Sequence, residues 1–356
     1  MGFEPVIGLE IHARLLTNTK IFCGCSTRFG HAPNTSVCPV CLGFPGALPV
    51  LNRRAVDFAA KAALALNCTV HEQSIFARKN YFYPDLPKGY QISQYELPLA
   101  TAGRLEYGAG GAARRVRITR VHLEEDAGKS LHEGFADSDQ KTYLDYNRSG
   151  TPLIEIVTEP DLRSATDAAN AFRKLREMLM ALGVNDGNME EGSLRCDANV
   201  SVRPDGAETL GTKTEVKNIN SFRYLERALE YEIDRQVRVV EGGGVIVQET
   251  RLWDAAARET FSMRTKEDAH DYRYFPEPDL PPVQLARDRI DAIRGSIVEL
   301  PEVRRQRVIA QYALSDLEVT ALENTELTAL FEETAEASGH PRGAFNWVSG
   351  EVARKL

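Results

Sequence analysis

The segment His122-Leu-Glu-Glu-Asp-Ala-Gly-Lys129 places three consecutive carboxylates directly after the strand-like run from Val116 to Val121. Adjacent acids repel one another, and a fold that keeps them at a buried strand end must neutralise them. Mg²⁺ does so well, because it takes oxygen ligands and bridges carboxylates to substrate phosphates. Taken alone, the segment is better explained as a solvated acidic turn. Related patterns elsewhere in the chain favour the metal site.

Several other segments alternate between apolar and charged residues with the period of a β-strand. In residues 6–15, Ile7, Leu9 and Ile11 fall on one face while Glu10 and His12 fall on the other. One such strand indicates only a solvated sheet surface, but the repeated pattern predicts a curved sheet with a polar cavity. Acids there would hold a metal ion, and basic residues would hold phosphate oxygens. The remaining charged residues of this kind are Glu124, Glu155, Arg195, Glu215 and Lys217.

Four of the six cysteines fall within residues 23–41. They form two close pairs, Cys23 with Cys25 and Cys38 with Cys41, separated by twelve residues. Two such pairs can converge as four thiolates around a tetrahedral Zn²⁺ in a structural site. The first pair has the spacing CxC instead of the usual CxxC. We expect a zinc-binding insertion at residues 23–41, with four free thiols as the alternative.

The composition indicates a soluble globular protein. The 356 residues are 43% hydrophobic and 26% charged, and the net charge of -8 argues against a non-specific nucleic-acid binder. No apolar run approaches the ~20 residues that a membrane helix needs, and the N-terminus lacks the pattern of a signal peptide. Clustered cysteines favour metal binding in a reducing compartment over disulfides. We therefore expect a cytoplasmic protein with no membrane partner.

The chain is predicted to contain two domains. Residues 1–283 mix strands and helices, and a proline-rich stretch from Pro276 to Pro282 closes this region. From residue 284 to residue 356 the periodicity is that of helices. The fold class is thus α+β, with an all-helical domain after the first domain. No P-loop or Rossmann glycine motif is present, so a nucleotide site would be of another type.

Seven stretches of the chain together resemble one family, the B subunits of bacterial aspartyl/glutamyl-tRNA amidotransferases. They follow one another in order through nearly all of the first domain, which is more specific than any single motif. The stretches are Gly8-Leu-Glu-Ile-His12, Arg78-Lys-Asn-Tyr-Phe-Tyr-Pro84, His122-Leu-Glu-Glu-Asp-Ala-Gly-Lys129, Asp145-Tyr-Asn-Arg-Ser-Gly-Thr-Pro-Leu-Ile-Glu155, Gly192-Ser-Leu-Arg-Cys-Asp-Ala-Asn199, Glu215-Val-Lys-Asn-Ile-Asn220 and Asp271-Tyr-Arg-Tyr-Phe-Pro-Glu-Pro278.

The resemblance implies a cradle domain with a curved antiparallel sheet lined by helices, related to the glutamine synthetase fold. It implies ATP- and Mg²⁺-dependent phosphorylation of the side-chain carboxylate of mischarged Glu-tRNA(Gln) or Asp-tRNA(Asn), after which ammonia displaces the phosphate. The glutaminase, or A subunit, would supply the ammonia through a channel, and a small C subunit would brace the pair. The family pattern also implies a further tail domain that docks on tRNA, so we expect this chain to stop within its helical domain.

The charged residues fit this chemistry, because phosphoryl transfer needs positioning and charge neutralisation more than covalent catalysis. We expect the loop from Arg78 to Gln91 to contact the partner or line the ammonia path, where Lys79 and Lys88 could gate passage. The candidate catalytic acids and metal ligands are Glu10, His12, Glu124, Glu125 and Glu215, with Glu155 as a further one; His12, Glu125 and Glu215 are the candidate magnesium ligands, and Arg195 and Lys217 the candidate phosphate clamps.

Two alternative functions remain open from the sequence. The first is a stand-alone ligase that uses free ammonia, which a stable complex with a glutaminase would exclude. The second is a non-catalytic, zinc-containing RNA-binding module. The acidic net charge speaks against the second alternative, and a test for ATP turnover would decide.

Overall fold

The structure is a computed structural model that describes residues 2–109, 112–265 and 269–355. The chain divides into two compact units, Met1–Ile297 and Val298–Leu356. The first unit combines a large sheet with helices, and the second unit is helical. This arrangement confirms the predicted α+β class followed by a helical region.

Within the described residues, the first unit contains sixteen β-strands, nine of which form one central sheet. In chain order they are β1 (Phe3–Arg14), β2 (Thr69–Val70), β3 (Gln73–Ser74), β4 (Phe76–Asn80), β5 (Tyr90–Gln94), β6 (Ala100–Ala109), β7 (Ala112–Glu125), β8 (Lys129–Leu131), β9 (Tyr143–Asp145), β10 (Pro152–Thr158), β11 (Leu194–Pro204), β12 (Thr214–Ile219), β13 (Glu249–Asp254), β14 (Glu259–Thr265), β15 (Phe275–Pro276) and β16 (Val283–Gln284).

The central sheet has the strand order β14-β13-β12-β11-β1-β10-β7-β6-β2. Its neighbouring strands pair antiparallel except β12 and β13, which are parallel. The sheet is therefore mixed, which corrects the expectation of an antiparallel one. A parallel pair needs a long crossover connection, and helix α3 (Phe222–Glu241) lies in the chain between these two strands. Three small sheets, β15-β4-β5, β16-β3 and β8-β9, accompany the central one.

Helices α1 (Arg53–Ala65), α2 (Ala165–Ala181) and α3 pack against strands of the central sheet. Asn52 and Ser164 cap α1 and α2, as is typical of Asn and Ser residues directly before a helix. Their side-chain oxygens accept backbone N–H bonds from residues two and three positions further on. The apolar faces of the three helices cover one face of the sheet. The other face is left to polar side chains.

A bulge in β7 changes which side chains face the helices. Ile118 and Val121 are both buried, although an uninterrupted strand would point them to opposite faces. The pairing of β7 with β10 shifts between these two positions, which makes Thr119 the extra residue. The bulge therefore lies at Thr119 and changes the parity of the side chains that follow it. His122 and Glu124 consequently share the polar face of the sheet.

A buried polar network connects α3 to the sheet. The carboxylate of Glu232 is fully buried and accepts hydrogen bonds from Arg235, Thr214 and Gln236 at 2.6, 2.8 and 3.0 Å. Burial alone would raise the pKa of Glu232, but the bonds from Arg235 and Gln236 outweigh burial and lower the pKa. The ionised carboxylate therefore holds donors from both the helix and the strand.

We predict that Glu232→Gln lowers the free energy of unfolding by about 3 kcal/mol, because the partly buried guanidinium of Arg235 and the other hydrogen-bond donors lose their buried anion. The folded pKa lies below the usual 4.5, so this stabilisation is present above that pH and is lost as the pH falls. Urea unfolding measures the difference. Glu230→Gln, at an exposed glutamate of the same helix, is the control, and equal stabilities of the two variants would contradict the role of Glu232.

The boundary between the units differs from the predicted one at residue 284. β16 pairs with β3, and Arg289 in α4 (Arg287–Gly295) donates to Asp57 in α1 at 3.1 Å. These contacts join α4 to the first unit, which ends at Ile297. The change of composition near Gln284 therefore marks the start of one more helix of the first unit.

The second unit consists of short helices packed around an apolar core. Val308, Leu322 and Phe331 are completely buried there. Within the described residues, no helix is both long and apolar enough to span a membrane. The helices of this unit are α5 (Pro301–Tyr312), α6 (Asp316–Asn324), α7 (Thr328–Ser338) and α8 (Pro341–Asn346), followed by a π-helical turn (Trp347–Val352).

Candidate functional site

The polar face of the central sheet carries most of the charged residues that the sequence singles out. Alternate residues of each strand point to opposite faces, so the residues between the buried apolar ones project from the polar face. The register pairs His12 of β1 with Glu155 of β10 and with Arg195 of β11. Glu155 is also paired with His122 of β7. Four adjacent strands therefore place their charged side chains next to one another.

His12, Glu124 and Glu155 converge at one point of this face. Nε2 of His12 lies 3.3 Å from Oε1 of Glu124 and 3.9 Å from Oε2 of Glu155. One ligand atom from each residue lies within 4.8 Å of the other two, so the three could hold a metal ion together. His122 adjoins them, with Nε2 3.1 Å from Oε2 of Glu155. We call these four residues the His–Glu cluster.

The histidines and glutamates of the His–Glu cluster favour one another's ionised forms. Burial alone lowers the pKa of His12, but the hydrogen bond to Glu124 and the charge of Glu155 raise it to about 9. Burial raises the pKa of Glu155, yet the charge and hydrogen bond of His122 bring it down to about 2. Glu124, also buried, has its pKa lowered well below the usual value by both histidines. The cluster without metal is therefore an array of imidazolium and carboxylate groups.

A second polar group lies further along the same face, around Lys217 of β12. Nζ of Lys217 donates to Oδ2 of Asp197 at 2.5 Å and lies 3.4 Å from Oε1 of Glu215. Nδ2 of Asn199 donates to Oε1 of Glu10 at 2.8 Å. Burial alone lowers the pKa of Lys217, but the charges of Asp197 and Glu215 raise it. This lysine therefore stays protonated in an acidic setting.

Arg195 connects the polar face to the end of the acidic segment. Its Nη2 donates to Oδ1 of Asp126 at 3.1 Å, and Nε of Arg148 lies 3.5 Å from the other oxygen of that carboxylate. The charge of Asp126 raises the pKa of Arg195. Because the side chain of Arg195 is 37% exposed, this cation remains accessible to a ligand.

The ligand set expected from the sequence requires Glu215 and His12 to bind the same metal ion. The structure places the two residues too far apart for this. Glu215 is paired with Asn199, four residues along β11 from the partner of His12. Two strand spacings and four residue rises put the Cα atoms of His12 and Glu215 roughly 16 Å apart. A Mg²⁺ ion with ligands at about 2.1 Å cannot join them.

Glu125 also lies outside the His–Glu cluster. Glu124 already points to His12, so its neighbour in the strand points the opposite way. Oε1 of Glu125 accepts the backbone N–H of Ile92 at 2.8 Å and forms an ion pair with Nζ of Lys88. The carboxylate lines a small cavity beside the cysteine loop. The structure thus separates Glu125 from the other two predicted magnesium ligands.

The four predicted zinc ligands come together. One sulfur from each of Cys23, Cys25, Cys38 and Cys41 lies within 4.8 Å of the others, and the sulfurs of Cys38 and Cys41 are 4.0 Å apart. Tetrahedral coordination with Zn–S bonds of about 2.3 Å requires sulfurs about 3.8 Å apart. The donor set and its spacing therefore fit one Zn²⁺. We call these four residues the cysteine cluster.

Two residues of the site are absent from the predicted set. His122 has the same strand parity as Glu124, so the alternation already placed it on the polar face. Asp126 lies beyond the end of β7, where no periodicity indicates its direction, and only the structure brings it to Arg195.

The sequence of this chain matches a known protein family. Residues 5–291 match the family described as the GatB/GatE catalytic domain. The chain is 57% identical over its whole length to the B subunit of the aspartyl/glutamyl-tRNA(Asn/Gln) amidotransferase from Thermodesulfovibrio yellowstonii, and covers 74% of that protein. The B subunits of the enzymes from Carboxydothermus hydrogenoformans and Geobacter sulfurreducens are 56% and 55% identical over 99% and 100% of this chain, which covers 74% of each.

These matches place the chain in a class of ATP-using enzyme subunits that amidate aminoacyl-tRNA. The chain belongs to the family of aspartyl/glutamyl-tRNA(Asn/Gln) amidotransferase B subunits. It is accordingly a component of a multi-subunit, tRNA-dependent amidotransferase, which confirms the family expected from the sequence. Neither the stand-alone ligase nor the non-catalytic RNA-binding module is supported by these comparisons.

We predict that the purified chain contains one zinc per molecule. Cys41→Ser should reduce the zinc content several-fold and lower the Tm, because a tetrahedral structural site needs all four protein ligands. Elemental analysis and thermal unfolding measure the two effects. Cys68→Ser, which changes a buried cysteine outside the cluster, should leave the zinc content unchanged. Less than about 0.2 zinc per wild-type chain would contradict a structural site.

Proposed function

We propose that this chain activates the side-chain carboxylate of mischarged Glu-tRNA(Gln), Asp-tRNA(Asn) or both with ATP, and that ammonia then replaces the phosphate. The observation that carries the proposal is the convergence of His12, Glu124 and Glu155 on the sheet face that also bears Arg195 and Lys217. Phosphoryl transfer depends on a metal ion near the phosphates and on cations around the transferred group. The polar face offers residues for both tasks.

The proposed reaction has two steps. A carboxylate oxygen of the aminoacyl group attacks the γ-phosphorus of ATP, the bond to the bridging oxygen breaks, and ADP leaves. Ammonia then adds to the carbonyl carbon of the acyl phosphate, a proton is lost from nitrogen, and inorganic phosphate leaves with the C–O bond electrons. Phosphorylation is needed because hydroxide is a poor leaving group at neutral pH.

The His–Glu cluster is the place that we propose for Mg²⁺. His12, Glu124 and Glu155 would hold the ion, and the two carboxylates supply the oxygen ligands that it prefers. When bound, the ion would neutralise charge on the phosphate oxygens. His12 ligates only as neutral imidazole, so it must give up the proton that it shares with Glu124. The buried His122 would keep Glu155 oriented.

Arg195 and Lys217 are the groups that we propose for the phosphate oxygens. Arg195 can offer two parallel N–H donors to a phosphate, while Asp126 holds its guanidinium in position. Lys217 is a point charge held by Asp197. Glu10 and Glu215 lie in the group around Lys217 and would set its position, so their proposed role is electrostatic.

The ammonia is proposed to come from a partner glutaminase, the A subunit, with a small C subunit in the same complex. The segment from Arg78 to Gln91 is the proposed contact with the partner, because it leaves Phe82 86% exposed while anchoring Lys88 on Glu125. Exposed aromatic side chains are enriched at protein–protein interfaces. The Lys88–Glu125 pair would then control passage of ammonia.

We predict that Glu124→Gln lowers ATP-dependent amidation of mischarged tRNA by about 100-fold or more, because misplacing reacting groups by about 1 Å has an effect of this size. The assay uses the reconstituted complex with ammonium as the donor, so that glutamine hydrolysis is not required. Glutaminase activity should persist at its basal level, since its nucleophile is on another chain.

The control for this experiment is Glu190→Gln, at an exposed glutamate, which should retain normal activity. A complex whose glutaminase is inactive should be rescued by ammonium, whereas Glu124→Gln should not. Near-normal amidation by Glu124→Gln would show that activation takes place elsewhere and would overturn the proposed site.

We predict that Lys88→Ala lowers glutamine-dependent amidation by about 10-fold while ammonium-dependent amidation stays near normal. The reason is that free ammonium bypasses the path that Lys88 and Glu125 would control, and a 10-fold change corresponds to about 1.4 kcal/mol of activation free energy. Both rates are measured on the same preparation of the complex. Equal losses with both donors would assign Lys88 to the chemistry, and no loss with glutamine would remove it from the path.

A further inference from the structure

Lys20 is a buried cation next to the cysteine cluster. Its side chain has 0% exposure. A lysine withdrawn from water loses several kcal/mol of hydration free energy unless nearby groups compensate its charge. The residue follows β1 in the chain, and neither the His–Glu cluster nor the proposed reaction uses it. Its burial therefore needs a separate physical explanation.

The partners of Lys20 identify what compensates its charge. Nζ lies 3.5 Å from Sγ of Cys41 and donates to the carbonyl oxygen of Tyr146 at 3.3 Å. Among the residues that the structure describes, no carboxylate forms an ion pair with this ammonium group, and the nearby Glu125 is paired with Lys88. A single carbonyl dipole does not balance a full charge. Of the two groups that accept from Nζ, only the sulfur of Cys41 can carry a negative charge.

Four thiolates around Zn²⁺ carry a net charge of −2. Cys41 is the buried member of the cluster, so its share of that charge is least accessible to water. Sγ of Cys41 also lies 3.2 Å from the backbone nitrogen of Cys38, which donates to it. A positive group at this sulfur offsets the excess negative charge, in the way that outer-shell hydrogen bonds stabilise metal sites in general.

We propose that Lys20 is the built-in counter-cation of the zinc-thiolate site. The ammonium group and the loaded cysteine cluster stabilise each other, so that zinc binding compensates a buried charge and the buried charge retains zinc. The inference rests on zinc occupancy of the cluster. It assigns to Lys20 a role in metal retention, outside the amidation chemistry.

The alternative explanation is that Lys20 only supports the loop through Tyr146, whatever the state of the cysteines. The two explanations differ in the metal-free protein. Without zinc, the cluster no longer carries the fixed net charge of −2 of four zinc-bound thiolates, so the ammonium group loses part of its compensation. Lys20→Met should therefore destabilise the zinc-loaded protein more than the zinc-free protein.

The experiment uses the purified full chain, whose zinc content is first measured. Zinc transfer to a chromogenic chelator is followed for wild type, Lys20→Met, Lys20→Gln and Lys61→Met, and Tm is measured before and after zinc removal. Lys61 is the matched control, because its Nζ donates to the backbone oxygen of Leu182 at 2.8 Å, away from the cysteine cluster. Lys20→Gln keeps a hydrogen-bond donor without the charge, and it decides the result if Lys20→Met does not fold.

We expect both Lys20 variants to lose zinc about 10- to 100-fold faster than wild type, as for other outer-shell partners, while Lys61→Met does not change. Their Tm should be lower than that of wild type with zinc, and this difference should be smaller without zinc. Equal rates of zinc release would overturn the role of Lys20, as would an equal loss of Tm in both states. Absence of zinc from wild type would overturn the zinc site itself and this inference with it.

Discussion

The structure depends on one constraint, which is that every second residue of the central strands is buried against helices. Pairing in register then gathers the remaining side chains of neighbouring strands on one surface. Acids and bases share that surface, so opposite charges meet on adjacent strands, as His12 does with Glu155 and Lys217 with Asp197. Charges that would be costly alone are thereby stable together.

The same pairing means that ligands must compete with partners already present in the protein. In the His–Glu cluster, two imidazolium groups balance two carboxylates, so a metal ion enters by displacing protons. A phosphate oxygen that reaches Arg195 shares the guanidinium with Asp126. The polar face is therefore preorganised. The free energy of binding a metal ion or a phosphate there is the difference between the new interactions and those that the protein already makes.

Features that depend on the local sequence pattern could be predicted from the sequence. Contacts that depend on the order of strands in the sheet required the structure. Helix starts at Asn52 and Ser164, the charged strand faces and the cysteine cluster all follow from residue type and spacing. Which acids meet His12 depends on neighbours that come together only in the folded sheet, which is why Glu155 belongs to the cluster and Glu215 does not. The direction of residues beyond a strand end is likewise set by tertiary contacts, since alternation stops there.

The bulge at Thr119 has a consequence for how this region can change during evolution. Substitutions along β7 alter one side chain at a time, and their effects are graded. Loss or gain of one residue at the bulge would instead exchange the two faces for the remainder of the strand, burying His122 and Glu124 against helices and exposing Val121. An insertion or deletion at this point would thus change both faces of the strand at once. We therefore expect β7 to vary by substitution and to keep its length.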